Sequence, residues 1–403
     1  MLRVMEGVRI LEVAQFTFVP AAGAVLADWG ADVIKVEHPV TGDAQRGLLQ
    51  VGGRDNRGDI NFLMEHANRG KRSIGLDLKN PEGREVLDEL IRSSDVFLTN
   101  FLPGPRAKMK IDVEDVRAIN PEIIYARGSA LGEKGPERER GGYDSTVYWA
   151  RGGSGMGMKQ PGDGPAMQPG PAYGDSIGGM TIAGGIAAAL FQRERTGETS
   201  VVDISLLATG TWSMACSLVG SMLAGGGPPI PAGAAFMNPL VGLFATKDGF
   251  FLMLTMLQGF PYWADTCAHV GRPELAEDPR FATPEAFAEN AEAASAALRE
   301  AFAEATLEQW RERLATMKGQ WGPFQTLDHM ATDPQLIANG QIAEVDAGDG
   351  KSFRLVASPV VFDGDAPELH KGPEHGQHTE EVLLELGFDW DRIGSLKQAG
   401  VVR

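Results

Sequence analysis

Among the residues that could do chemistry, Asp175 has the most suggestive surroundings. It stands in Gly174-Asp175-Ser176-Ile177-Gly178-Gly179-Met180, at the start of a long run of small residues. An aspartate in front of a helix is most often a cap. The same position also suits a nucleophile. Aspartate is ordinarily ionised at neutral pH, and the first turn of a helix offers unpaired N–H groups to an anion. Attack by a carboxylate divides a difficult acyl transfer into two easier steps. Each step passes through an oxyanion, and Gly178 and Gly179 would let backbone donors come close to it.

The helix that must present Asp175 is expected from about Ser176 to Arg195, closed by Arg193, Arg195 and Gly197. Its body holds Gly178, Gly179, Ala183, Gly184, Gly185, Ala187, Ala188 and Ala189. Glycine weakens a helix, so this density implies close approach of a backbone or a ligand. Ahead of it, strand and helix alternate: Val8 to Val13, a helix entered at Pro20 and closed by Gly30, then Asp32 to Glu37. Ser73 to Leu78, Asp95 to Thr99 and Ile123 to Ala126 read as further strands, with helices opened by Asn80-Pro81 and around Val113 to Ile119 between them. This pattern predicts an α/β fold with a parallel sheet covered on both faces. Gly152 to Gly170 reads as loop, and Leu243 to Thr255 as two strands joined at Lys247-Asp248-Gly249. The expected organisation is a large unit from 1–225, a smaller α+β unit over 226–330, and a return to the large unit over 331–403.

Composition limits the partners. The formal net charge of −17 disfavours nucleic acid and anionic membrane, so an anionic ligand needs a local basic cluster. Arg69 to Lys110 supplies one, including Arg72, Lys79, Arg106 and Lys108. Cys216 and Cys267 fall in no metal-ligand spacing, which argues against structural zinc and suits the reducing cytoplasm. No metal is expected. The first residues run straight into a strand pattern, so no signal peptide is read there. Ser205 to Gly225 is long enough to span a bilayer but is rich in Ser, Thr and Gly. A buried helix, at a subunit contact, is the expectation for it.

The Asp175 segment, its alanine-rich helix and Arg193-Glu194-Arg195-Thr196-Gly197 resemble the core signature of the class III CoA-transferases. Formyl-CoA transferase and carnitine CoA-transferase are members of that family. Glu6-Gly7-Val8-Arg9-Ile10-Leu11-Glu12, Gly30 to Glu37, Asn68-Arg69-Gly70-Lys71-Arg72-Ser73 and Asn100-Phe101 are similar to the family's amino-terminal half. Gly322-Pro323, Asp333-Pro334-Gln335 and Gly376-Gln377-His378-Thr379 resemble its later landmarks.

The resemblance implies a Rossmann-like large domain built from both chain ends, a smaller inserted domain, and an interlocked homodimer. It implies coenzyme A as the thioester substrate, with an acyl-CoA and a free carboxylic acid as partners. By the same resemblance, CoA contacts fall on Thr17, Phe18, His38, Leu76, Lys79, Asn100, Phe101 and Lys108, with Arg72 and Arg106 as additions. For Phe18 and Leu76 the plain alternative is core packing. Where formyl-CoA transferase carries Gln and Arg, this chain has Thr17 and His38. Tyr143 and Asp144 match positions near the thioester carbon. The formyl-transfer family's glycine run is replaced by Gly233-Ala234-Ala235-Phe236-Met237, which speaks against oxalate. Phe236, Met237, Trp321 and Phe324 suit a bulkier apolar acyl group.

Two other enzymes compete with this reading. A 2-methylacyl-CoA racemase of the same fold needs acid and base on opposite faces of the α-carbon. Its Gly-His-Asp context reads Gly142-Tyr143-Asp144 here, so the pair is broken. A nucleotide-dependent dehydrogenase could use Glu37 for ribose, but Ala14 to Pro20 lacks GxGxxG. A noncatalytic CoA-binding protein is the third reading; it predicts that Asp175→Ala changes little.

Overall fold

The computed structural model describes residues 3–51, 53–55, 60–158, 164–226, 238–348 and 350–403. They form two compact units, Met1–Gly227 with Pro334–Arg403, and Pro228–Asp333. In the first unit, short apolar runs alternate with amphipathic or small-residue helices. These are β1 (Arg9–Val13), α1 (Phe18–Asp28), β2 (Asp32–Glu37), α2 (Phe62–Asn68), β3 (Arg72–Gly75), α3 (Pro81–Arg92) and β4 (Val96–Thr99). Then come α4 (Pro103–Met109), α5 (Val113–Ile119), β5 (Ile124–Ser129), α6 (Tyr173–Thr196), β6 (Val201–Ser205), α7 (Leu206–Ser213) and α8 (Ala215–Leu223).

The strands form one six-stranded sheet in the order β3-β2-β1-β4-β5-β6, and every adjacent pair is parallel. This is the doubly wound order of Rossmann-type proteins. Strand period divides the core into two layers. Ile10, Val33, Leu98 and Ile124 face the layer that includes residues of α1 and α6, whereas Leu11, Ile34, Phe97 and Tyr125 face that of α3 and α5. The carboxyl-terminal helices Thr379–Glu385 and Trp390–Gln398 supply Val382, Leu383, Ile393 and Leu396 to the second layer. The second unit has its own core of Trp263, Phe281, Phe302 and Trp310 beside an antiparallel sheet of Val241–Ala245, Phe251–Thr255 and Trp321–Pro323.

The uncharged stretch after β6 departs from the single buried helix expected of it. It forms α7 and α8, bent by 68° at their junction. No residue of α8 is buried, because Leu218, Val219, Met222 and Leu223 point outward. α6 is long and apolar enough to cross a membrane by length and composition, yet 44% of that stretch is buried inside the protein.

Candidate active site

In a doubly wound sheet, ligands bind outside the carboxyl ends of the strands, where the strand order reverses. Here that point lies between β1 and β4. Asn100, just past β4, fastens the loop after β1: its Nδ2 donates to the Gln15 carbonyl at 2.6 Å, and Gln15 N–H donates to its Oδ1 at 3.0 Å. Below the loop lies a buried charge network in which Lys35 pairs with Glu12 at 3.1 Å and Asp43 at 2.8 Å. Lys71 pairs with the same Glu12 at 2.7 Å. Burial pulls the Lys71 ammonium down to about 8, against the opposing pull of Glu12.

A cavity of about 260 Å³ opens at these strand ends, lined by residues including Gln15, His38, Leu76, Lys79, Phe101 and Met109. His38 and Lys79 are exposed, and Leu76 is buried with one side to the cavity. Asn100 touches the site through Gln15. Asn100→Ala removes both clasp bonds, each worth about 1 kcal/mol. It is expected to raise KM for a CoA thioester about tenfold with little change in kcat, read by steady-state kinetics.

The other residues expected on CoA do not line this cavity. Thr17 is buried, its hydroxyl donating to Gln45 Oε1 at 2.6 Å. Phe18 is buried between α6 and the end of β5, so packing claims its ring. Lys108 is exposed on α4, next to the lining residue Met109. Arg72 sits at the opposite, amino end of its strand, paired with Asp32 at 2.7 Å and Glu385 at 2.7 Å. Arg106 is buried on Glu133 at 2.6 Å and Asp112 at 3.3 Å, in a different groove. Both guanidinium groups are neutralised where they stand, which removes them from the cavity's cation count. Glu37 is also committed. Arg46 grips it at 2.7 and 2.8 Å and Ser73 at 2.7 Å. Burial would raise its pKa, but Arg46 and Lys35 outweigh that and hold it down to about 2. A ribose would have to displace those partners, which weighs against the dehydrogenase reading.

Asp175 lies in the first turn of α6, whose start falls three residues earlier than the sequence suggested. The cap is Ala172, held at φ +59°, an unusual conformation for a residue with a Cβ. Asp175 is half-buried, and no described residue donates a hydrogen bond to its carboxyl group. It is therefore not a cap. Burial, and then the negative charge of Asp144, push its pKa up to about 8. The ionised carboxylate expected at neutral pH is thus a minority form in the free chain. Asp144 is buried, accepting from Gln168 Nε2 at 2.7 Å and from Ser145 N–H at 2.6 Å. Its neighbour Tyr143 is exposed and meets Phe16 edge to face, with centroids 5.7 Å apart.

Gly178 and Gly179 have a different task from the one assigned to them. A Cβ on Gly178 would lie 2.2 Å from the Phe18 ring, and one on Gly179 2.6 Å from the Ala21 methyl. Close packing of α1 on α6 demands these glycines. Beyond the first turn their N–H groups are also spent on the helix itself. Of the α6 amides, Ser176 N–H already donates to Ala172, which leaves those of Tyr173 to Asp175 for an anion at the helix entrance. Gly178→Ala is expected to cost about 1–3 kcal/mol of stability by overpacking, measured by urea denaturation.

One residue of this site escaped the sequence reading. His66, on α2, meets Ser176 with Nε2 and Oγ 2.9 Å apart. The Ser176 hydroxyl donates to the Ala172 carbonyl at 2.8 Å, which leaves His66 Nε2–H as the donor to Oγ. Burial and the charge of Arg69 push the imidazole down to about 4, so it is neutral at physiological pH. The pair is 110 residues apart in sequence, and no spacing rule connects them. Phe236 and Met237 lie outside the described residues. Trp321 is tied within the second unit by its Nε1 donating to Leu314 at 3.0 Å, and Phe324 is exposed. Among the described residues no cluster of His, Cys, Asp and Glu forms a metal site.

Comparison with known proteins agrees with the fold. The chain is 30% identical over 401 residues to (R)-2-hydroxy-4-methylpentanoate CoA-transferase of Clostridioides difficile, covering 99% of each chain. It is 33% identical to succinate–glutarate CoA-transferase of Agrobacterium fabrum, covering 95% of each. A CAIB/BAIF family protein from Brucella suis superimposes with a TM-score of 0.79 at 29% identity, covering 95% of this chain and 99% of that one. The model of CoA-transferase family III matches residues 5–379. This chain is an enzyme of that family, CoA-transferase family III.

Proposed function

We propose that the protein moves CoA from an acyl-CoA thioester to a free carboxylic acid through covalent intermediates on Asp175. The observation that carries this reading is the Asp175 carboxyl group itself, half-buried at a helix entrance and without a hydrogen-bond donor among the described residues. A carboxyl group with no side chain bound to it is available as a nucleophile once it ionises.

In the proposed sequence, a carboxylate oxygen attacks the thioester carbonyl. The C–S bond breaks, giving an aspartyl mixed anhydride and CoA thiolate. The thiolate then attacks the aspartyl carbonyl, releasing the donor acid and leaving aspartyl-CoA. The acceptor carboxylate attacks that thioester, expelling CoA again and forming a second anhydride. CoA takes the acceptor acyl group from it and frees Asp175. Each tetrahedral oxyanion would be met by first-turn amides of α6. CoA would occupy the cavity at the strand ends, with Lys79 and His38 at its rim. Racemisation is not favoured, since Tyr143 replaces the histidine that would face the α-carbon.

The working form is proposed to be a homodimer. Trp212 is 82% and Leu223 85% exposed on α7 and α8, an apolar surface that a second copy would cover. Two free cysteines suit the cytoplasm. A panel of acyl-CoA donors and free acids, read by mass spectrometry for exchanged CoA esters, tests the activity. CoA binding without exchange for any pair would leave the noncatalytic reading.

A further inference from the structure

Phe16 is held in a conformation that phenylalanine avoids. Its φ is +64°, in the left-handed region where a Cβ is penalised. Such strain persists only where surrounding structure over-determines it, and here each residue of the loop is pinned separately. Gln15 is clasped by Asn100 on both its N–H and its carbonyl. Phe16 N–H donates to Asp43 Oδ1 at 3.0 Å, and Asp43 is itself buried on Lys35. Thr17 is tied to Gln45. The loop is thus held at three successive residues, with the Phe16 side chain left outside these bonds.

That side chain goes to Tyr143. The two rings meet at 85° with centroids 5.7 Å apart. Both partners are attached to neighbours of the reactive carboxyl. Tyr143 precedes Asp144, whose charge reaches Asp175. Phe16 stands two residues before Phe18, whose ring fills the space at Gly178, three residues beyond Asp175. On its other side, Ala14 and Gln15 line the strand-end cavity. Chain connectivity thus ties the pair on one side to residues lining that cavity and on the other to residues packed near Asp175. Phe16 is half-buried and Tyr143 61% exposed, so the rings border open space and are not sealed into the core.

From this we infer that Phe16 is a specificity-determining residue, its ring forming with Tyr143 the wall that limits the bulk of the acyl group brought to Asp175. The inference rests on Asp175 as the reacting group. Loss of the phenyl ring opens space on the acyl side while the loop pins, which use backbone groups and Thr17, stay in place. Glycine at this position also relieves the left-handed strain, so comparison of Phe16→Ala with Phe16→Gly separates the ring from the backbone.

The test is kcat/KM for acetyl-, succinyl-, isovaleryl- and cinnamoyl-CoA, each with one acceptor acid, in wild type and both variants. The expected result is at least a tenfold rise in the ratio of kcat/KM for the two bulkier thioesters over acetyl-CoA, alike in both variants. Phe16→Gly should in addition melt at a higher temperature than Phe16→Ala. A proportional change for all four thioesters would place the ring against the CoA portion common to them and overturn the proposal. An unchanged ratio, or a shift seen in only one variant, would overturn it as well. Turnover by the wild type with any of the four keeps this test separate from that of the covalent mechanism.

Discussion

Asp175→Asn is expected to lower kcat by at least about 10⁴-fold, with CoA-thioester binding retained. Removing the nucleophile of a covalent mechanism costs losses of this order, while binding and oxyanion donors support only residual turnover. The asparagine keeps the shape of the α6 entrance, so the loss cannot be assigned to repacking. The same variant should be more stable than wild type. Asp175 is raised in the folded state, so the native chain keeps a proton that the unfolded chain gives up near pH 4. Its contribution to stability therefore falls as pH rises from about 4 to about 8. The gain from Asp175→Asn should grow over that window and level off above it, reaching on the order of 2 kcal/mol once partial exposure is allowed for. Thermal melts of both proteins at pH 6 and 9 measure it. An inactive variant with higher stability marks a group held for function at a cost to the fold.

The second large effect is on rate against pH. The attacking species is the carboxylate, and burial together with Asp144 holds the group largely protonated below about 8. Release of CoA in a single turnover should rise nearly tenfold per pH unit up to that region and flatten above it. A change from pH 6 to pH 8 then spans on the order of a hundredfold. Asp144→Asn removes the neighbouring negative charge and should move the midpoint to lower pH. Burial, the larger cause, stays, so the midpoint should remain above the ordinary aspartate range. Rapid-quench measurement of free thiol across pH 5.5 to 9.5 gives both curves. A flat profile would mean that Asp175 is already ionised when the thioester arrives.

Much of the fold was legible because strand runs and helix signals agree along the amino-terminal half. Val8 to Val13 and Asp32 to Glu37 place apolar residues on both faces, Ile10 and Val33 on one and Leu11 and Ile34 on the other, as strands covered by helices on both sides must. β6 escaped notice because Val201–Ser205 contains Asp203 and merges into the uncharged stretch that follows. α2 was missed because seven residues carry little helical periodicity, although Asn61 caps it. At the site, Asp175 stood out through its motif, and the crowding of glycines correctly signalled close approach. What approaches is Phe18 and Ala21, which only the packing of α1 reveals. Arg72 and Arg106 belonged to a basic cluster in sequence, but Asp32, Glu385, Glu133 and Asp112 neutralise them from distant segments. A charge count along the chain holds no record of such partners. His66 and Asp43 were invisible for the same reason: their roles exist only across tertiary contacts.

The most direct measurement is a mass spectrum of the tryptic peptide that contains Asp175, taken after rapid quenching of the protein with an acyl-CoA donor. A mass increase equal to the acyl group or to CoA, localised to Asp175 by fragmentation and absent from Asp175→Asn, is the predicted result. Exchange of CoA between acids at full rate, with that peptide unmodified at every quench time and the asparagine variant still active, would contradict it.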